Sequence, residues 1–365
     1  MADGLDVKVL RSVDDIGKAA LNSVADDGFF TFEWFKTLEQ QSPSIVDPYY
    51  VAVYRENEIV AFAPCFIDES DSYFYYGCHV FPFMKTVLNW GSHLGLWKKH
   101  LLLCYSPYSF SSQVLVRKAE EKEEIVNLVS KKIDELCRKQ RILFSSFPFV
   151  SEADKELMSG LQASNYLDFL WWKRAFHLDV HFSDFEDYRM SLGRKARRSI
   201  RADVNRFNKG EETIEELSHF GESSETLSTL YSNLYSRYNE DRENPYTAEF
   251  FSTLAEFAED KVKVFAAKRN NEIVGFCLCL LQGNTLNCWI CGFKYDSEMR
   301  KSSLYFNLVY YAPITWAIRN GIRRINYRIE AENVKLRVGC KERKVFSFLK
   351  CQNRLLASFF NLAPR

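Results

Sequence analysis

The chain spells nearly the same eight residues twice, RENEIVAF at 55–62 and RNNEIVGF at 269–276. Extended in both directions, VAVYRENEIVAFAPCFI lies against FAAKRNNEIVGFCLCLL at a constant offset with no gap. Arg55, Asn57, Glu58, Ile59, Val60, Phe62 and Cys65 recur as Arg269, Asn271, Glu272, Ile273, Val274, Phe276 and Cys279. Each copy alternates apolar residues, is rich in β-branched side chains and carries Asn at a polar turn, which is the pattern of a β-hairpin. Single cores rarely grow beyond about 250 to 300 residues. A repeated hairpin in a chain of 365 residues therefore predicts two domains.

The elements around each copy repeat as well. After the second, QGNT predicts a further hairpin loop centred on Gly283 and Asn284, leading to the strand LNCWICGFKY. Then RKSSLYFNLVYYAPITWAIRNG predicts a helix capped by Ser302 or Ser303, kinked at Pro313 and ended by Gly321, before the strand IRRINYRIE and a last strand, KVFSFL. The first half offers a hairpin, an aromatic insertion, a helix near 115–139 and the strand RILFSSF. Between the halves, Ser183 opens a basic helix that Gly210 stops, followed by a helical pair, ETLSTLYSNLYSRYNE and TAEFFSTLAEFAED. The expectation is a duplicated α+β unit, divided as 1–181 and 182–365.

Charge and cysteine usage narrow the class. The chain has 47% hydrophobic and 26% charged residues with zero net charge, which suits packed cores and excludes an acidic or basic tail protein. No segment supplies about 18 uninterrupted apolar residues, and the start carries acids rather than a signal-peptide core, so a cytoplasmic location is expected. Ten cysteines scattered over this length read as reduced and mostly buried.

Cys277, Cys279, Cys288 and Cys291 have a spacing that superficially suggests zinc. With a two-residue loop at Gly283 and Asn284, Cys279 faces Cys288 and Cys277 shares their face. On an unbroken strand Cys291 then points the other way, and no four-thiolate metal site is expected. The six histidines show no HExxH spacing, and no GxSxG or GxxxxGK[ST] stretch occurs. The strongest electrostatic feature is the helix at 194–209, with Arg194, Lys195, Arg197, Arg198, Arg201, Arg206 and Lys209 opposed mainly by Asp203. It is either a phosphate-binding surface for a nucleotide, tRNA or lipid headgroup, or a solvated face paired with the nearby EETIEE.

The order LGRKARRSIRADVNRF, LYSNLYSRYNEDRENPYTAEFFSTL, VFAAKRNNEIVGFCLCL, ITWAIRNGIRRINY and KLRVG resembles the Fem-like branch of the GNAT acyltransferase superfamily. The resemblance covers most of residues 182–350 and, through the repeat, extends more weakly over about 40–180. It implies two tandem GNAT-like domains, each a mixed, mostly antiparallel sheet flanked by helices. It also implies a cytoplasmic acyltransferase that moves an acyl group from acyl-CoA or an acyl carrier protein to the amine of a small molecule or sugar. An aminoacyltransferase drawing on aminoacyl-tRNA, and a non-catalytic binding protein of the same fold, are the alternatives.

On these residues, the resemblance makes LNCWICGFK, with Cys291 and Gly292, the strand whose splayed end admits the donor. Arg300, Lys301, Ser302 and Ser303 form the turn that receives its pyrophosphate at a helix N-terminus. The family's glycine-rich RxxGxG/A loop is absent there. Glu330 is the expected base, Tyr327 a proton donor and Lys335 a phosphate or carboxylate ligand. Carrier protein or tRNA would dock on the basic helix.

Overall fold

Two mixed sheets organise the chain in the computed structural model, which describes residues 4–25, 28–40, 47–68, 84–170, 174–237, 244–295, 299, 301–353 and 355–357. In chain order the first part holds β1 (Leu5–Leu10), α1 (Lys18–Val24), α2 (Phe32–Glu39), β2 (Asp47–Arg55), β3 (Glu58–Asp68), α3 (Met84–His93), β4 (Lys98–Cys104), β5 (Leu115–Val116), α4 (Lys122–Gln140), β6 (Ile142–Ser151), α5 (Lys155–Ala163) and β7 (Leu167–Leu170). The second part begins with β8 (Ala175–Asp179), α6 (Phe185–Ser191), α7 (Arg194–Phe207), β9 (Thr213–Leu217), α8 (Ser224–Tyr235), α9 (Ala248–Ala258), β10 (Val262–Arg269), β11 (Glu272–Gln282) and β12 (Thr285–Phe293). A helix in three joined pieces follows, Leu304–Phe306, a π turn at Asn307–Tyr311 and Ala312–Arg319, together α10. Then come β13 (Arg324–Arg328), α11 (Glu332–Arg337), β14 (Lys341–Arg343) and β15 (Val345–Cys351).

Both copies of the repeat form the same bulged hairpin. Glu56 and Asn57 in one turn, and Asn270 and Asn271 in the other, all have positive φ, as a two-residue turn that follows strand twist demands. Pairing slips by one residue at the same place in each hairpin, leaving Val60 and Val274 unopposed. Their carbonyls accept the N–H groups of Arg117 and Lys294, both at 2.8 Å. The repeated charges are structural too: Arg55 pairs with Glu120 and Arg269 with Glu212, while Glu58 pairs with Arg117 and Glu272 with Lys294.

The two sheets have one topology. The first runs β1-β2-β3-β4-β6-β15-β7, with β5 also on β3, and the second runs β9-β10-β11-β12-β13-β8-β14. Among the described residues, only β4 with β6 and β12 with β13 pair parallel. In the first unit α4 buries Ile125, Val126, Val129 and Ile133 on one face of the sheet, and Phe35 of α2 meets Phe62 on the other. In the second, α10 buries Leu308 and Ile314 with Phe265 and Cys277, while Phe251 of α9 meets Phe276.

Three expectations are corrected. Each sheet takes its next-to-last strand from beyond the expected division: β8, ahead of residue 181, pairs with β13, and β15 returns to pair with β6. The compact units are accordingly Met1–Lys173 with Lys344–Arg365, and Arg174–Arg343. The helix near 115–139 starts only at Lys122, because Leu115 and Val116 pair with β3. The helix expected from Ser183 to Gly210 is two helices: Asp184 caps α6, Leu192 turns into the core, and Gly193 precedes α7. In α10 Pro313 is the second residue of the segment Ala312–Arg319. The helix widens into a π turn just ahead of it, which relieves the clash of a proline ring with the preceding turn.

Candidate active site

The parallel pair β12 and β13 is joined at three positions, the last being Asn287 with Asn326, and then the strands part. An extra residue lies on each strand at that point. Cys279 faces Cys288 and Leu278 faces Ile290, leaving Trp289 unopposed, while Asn326 faces His177 and Arg328 faces Phe176, leaving Tyr327 unopposed. Bulges re-aim a strand and end pairing, so the sequence opens a cleft edged by the backbone of β12. Among the described residues no strand pairs with that edge beyond Asn287. Cys288 and Tyr327 are the first residues past the last pair.

Tyr327 is buried, and its hydroxyl finds no hydrogen-bond partner. Burial holds it well above the ordinary tyrosine range, so it remains a proton donor. Its ring lies 5.0 Å from that of Tyr310, whose hydroxyl is 3.4 Å from that of Tyr305. Gly292 serves packing: a Cβ there would come within 2.6 Å of the backbone of α8 at Leu230 and Tyr231.

The bulge at Trp289 corrects the cysteine geometry. It returns Cys291 to register with Cys277, against the same core, instead of turning it to the opposite face. Cys277, Cys279 and Cys288 converge, with Sγ atoms 3.9 Å apart for the first two and 3.4 Å for the last two. Burial raises the Cys288 thiol, but hydrogen bonds from Cys277 and Cys279 outweigh it and bring Cys288 to about 6.

Beyond β13 the chain turns through Arg328, Glu330 and Ala331, all with positive φ. Glu330 is exposed at this turn. Lys335 is buried, 5% exposed, and its ammonium donates to the carbonyls of Arg328, at 3.2 Å, and Ile329, at 2.6 Å. Burial lowers its pKa to about 8. Lys335 thus ties down the turn that carries Glu330, where the sequence suggested a ligand for phosphate.

At the start of α10, Ser302 and Ser303 are buried and Lys301 is exposed; Arg300 lies outside the described residues. Neither serine caps the helix in the expected way. Ser303 has a left-handed backbone, makes no side-chain cap and accepts a hydrogen bond from Arg206 at 3.2 Å, while the Ser302 hydroxyl has no partner. The residue that sequence reasoning passed over is Asp203, buried on α7. It accepts from Tyr311 at 3.0 Å, Arg337 at 3.2 Å and Arg206 at 3.4 Å. Its signal was its position as the one acid in a run of arginines. It ties α7 and α11 to the π turn of α10.

The rest of α7 stays positive. Three of the four acids expected to neutralise it, Glu212, Glu215 and Glu216, pair with Arg269, Lys268 and Lys263 of β10. Arg194, Lys195, Arg198 and Arg201 are exposed and form no ion pair among the described residues. A separate cleft of about 430 Å³ between α6 and α10, lined by Phe185, Thr315 and Arg319 among others, contains none of the expected site residues.

Two units of one strand order, each a mixed sheet with one parallel pair among the described residues, are the fold the sequence resemblance implied. The model of the FemAB-like family, described as peptidoglycan biosynthesis/recognition, matches residues 12–359. The chain belongs to the FemAB-like family. Among solved structures it is similar to FemX, at 11% identity and a TM-score of 0.62 over 96% of this chain and 99% of that one. It is also similar to the C-terminal domain of a putative lysylphosphatidylglycerol synthetase from Agrobacterium fabrum, at 11% identity and 0.59 over 94% and 93%. A tandem GNAT protein from the clavulanic acid pathway matches at 11% identity and 0.51 over 96% and 99%. No curated protein matches in sequence. The FemAB-like chain is a transferase with the tandem GNAT fold. No helix among its described residues is long and apolar enough to cross a membrane.

Proposed function

We propose that the second unit forms an amide bond, moving an acyl group from an activated donor to an amine in the cleft between β12 and β13. The observation that carries this reading is the divergence of the two strands after Asn287 and Asn326, beside the unpaired hydroxyl of Tyr327. Amine attack on the acyl carbonyl forms a C–N bond, breaks the bond to the carrier and requires a proton for the leaving atom. Tyr327 supplies that proton, and Cys291 and Gly292 line the donor's path. Glu330 takes the proton of the amine through water, on a turn that Lys335 positions. Lys301, Ser302, Ser303 and Arg206, with Arg300, receive the donor's phosphates.

Two donors are compatible with this cleft. A thioester, acyl-CoA or acyl carrier protein, needs only the cleft. Aminoacyl-tRNA has additional support, because the exposed cations of α7 suit a polyanion and the glycine-free start of α10 crowds a close pyrophosphate. Mass spectrometry of ligands and RNA retained by the native full-length protein decides between them. RNA whose affinity falls with salt, with a slope shallower by about 0.7 to 0.9 for each of Arg194, Arg198 and Arg201 changed to Gln, supports aminoacyl-tRNA. A thermal shift with acyl-CoA but not RNA supports the thioester. With the donor found, Tyr327→Phe should lower kcat on the order of 100-fold while leaving donor affinity unchanged. Binding of neither donor would overturn the amide-forming reading.

A further inference from the structure

The thiols of Cys277, Cys279 and Cys288 lie within 4.8 Å of one another, and among the described residues they are the one group of metal-ligating side chains so closely gathered. Three thiolates bound at about 2.3 Å to one ion stand about 4 Å from each other. The observed separations of 3.4 and 3.9 Å need little adjustment to reach that triangle. All three residues are buried, on rigid neighbouring strands held in register by the bulge at Trp289. Cys288 is also the first residue beyond the point where β12 leaves β13, which gives an ion an approach from the cleft.

The fold supplies its own comparison. Cys279 and Cys288 have counterparts in the first unit, Cys65 and Cys104, which face each other across β3 and β4 with Sγ atoms 3.5 Å apart. Cys104, too, is the first residue past the last parallel pair, Leu103 with Ser146. At the third corner, where the second unit has Cys277, the first has Ala63. The duplicated pair is thus a triad in one unit only.

We propose that Cys277, Cys279 and Cys288 form a three-thiolate site for one thiophilic closed-shell metal ion, Cu(I) or Zn(II). Soft thiolate sets select such ions. Binding exchanges three S–H protons, released to water, for three metal–sulfur bonds, and no electron is transferred. Cu(I) is satisfied by three sulfurs, whereas Zn(II) keeps a fourth position open toward the cleft. The buried ammonium of Lys335, within electrostatic reach of Cys288, opposes the negative charge of the loaded site. The proposal stands apart from the acyl-transfer reading, and its test reads no catalytic activity.

The full-length protein is produced in medium supplemented with copper or with zinc, purified without oxygen, and its metal content and sulfur coordination are read by elemental mass spectrometry and X-ray absorption. The expected result is one ion per chain in an all-sulfur shell, absent from Cys277→Ala at unchanged fold. No stoichiometric ion, a nitrogen or oxygen shell, or equal metal in Cys277→Ala overturns the site. Should Cys277→Ala fail to fold, Ala63→Cys decides: a second ion per chain supports the proposal, and an unchanged content overturns it. The copper and zinc arms identify which ion the triad takes.

Discussion

The first unit repeats every pairing of the second unit's hairpin, and the two differ where the parallel strands part. In the second unit one continuous strand, β12, crosses that point with a single unopposed residue. In the first the corresponding strand is broken into β4 and β5, with residues 105–114 between them, and Pro64 of β3 sits in the gap between its pairings with the two pieces. Proline has no N–H to offer a ladder, so it fits where no partner strand runs. The helix starts differ as well: α4 opens with Glu121, Glu123 and Glu124, whereas α10 opens beside Lys301 and Arg206. Under the proposed reading, a phosphate-bearing donor would be disfavoured at the first start and favoured at the second. The duplication kept the scaffold in both halves, and the parted strands with a continuous β12 are in one.

The repeated arginine gives the largest contrast. Arg269 is 15% exposed in its side chain and pairs with Glu212, whose side chain is 2% exposed, whereas the Arg55 side chain is 42% exposed beside Glu120 at 12%. Removing one partner of a buried pair leaves an uncompensated charge, and Arg269→Ala should cost about 3 to 5 kcal/mol in chemical denaturation. Arg55→Ala should cost clearly less, because water reaches its partner. Equal losses would mean that the two hairpins are equally solvated and would break the contrast.

Much of this scaffold was legible in sequence. Polar turns with Asn between alternating apolar runs specify both hairpins, and Gly283 and Asn284 specify the loop after them, because local chemistry alone decides these. The alternation in KVFSFL says that β15 is a strand but not which sheet it enters, since a pattern of period two carries no partner. The bulge at Trp289 was equally hidden, so Cys291 was assigned to the wrong face. Leu192 packs against the core where the helix breaks, a tertiary contact that the sequence pattern does not display. Of the expected site, Tyr327 and the start of α10 were reachable by resemblance; Asp203 was not singled out, because burial of one acid among arginines is a tertiary fact.

Lys335 separates the units by pH. The corresponding helix of the first unit, α5, buries Leu157, Gly160 and Leu161, while α11 buries a cation. The folded pKa of about 8 lies below the ordinary 10.5, so between these values the unfolded chain holds a proton that the folded one has lost. Stability therefore rises as pH increases from about 8 to 10.5, and the full penalty, about 3 kcal/mol, applies below that window. Denaturation midpoints of wild type and Lys335→Met, followed from pH 7 to 10, should converge or cross in that direction. Parallel curves would remove Lys335 as the source.

Glycine marks a third difference. Gly292 meets the backbone of α8, and Gly275 would bring a Cβ within 2.9 Å of the Phe293 ring. The first unit accommodates Leu115 and Ala61 at the matching pairs. Gly292→Ala should lower stability by about 1 to 3 kcal/mol, since a helix backbone cannot give way as a side chain can. Gly275→Ala should cost less, because the ring can shift, and thermal melts of the two variants rank them.

The smallest effect tests the sameness on which these contrasts rest. Asn57 and Asn271 occupy the second position of turns with positive φ, at 69° and 63°, and each follows another residue with positive φ. Asparagine tolerates this conformation better than a residue with a plain Cβ, so Asn57→Ala and Asn271→Ala should each cost about 1 kcal/mol. Neither turn residue takes part in the features that distinguish the units, and the two losses should agree to within about 0.5 kcal/mol, the usual additivity error for separate sites. A larger disagreement in chemical denaturation would show that the hairpins differ in rigidity. The contrast at Arg269 would then have to be reassigned from burial to the hairpin itself.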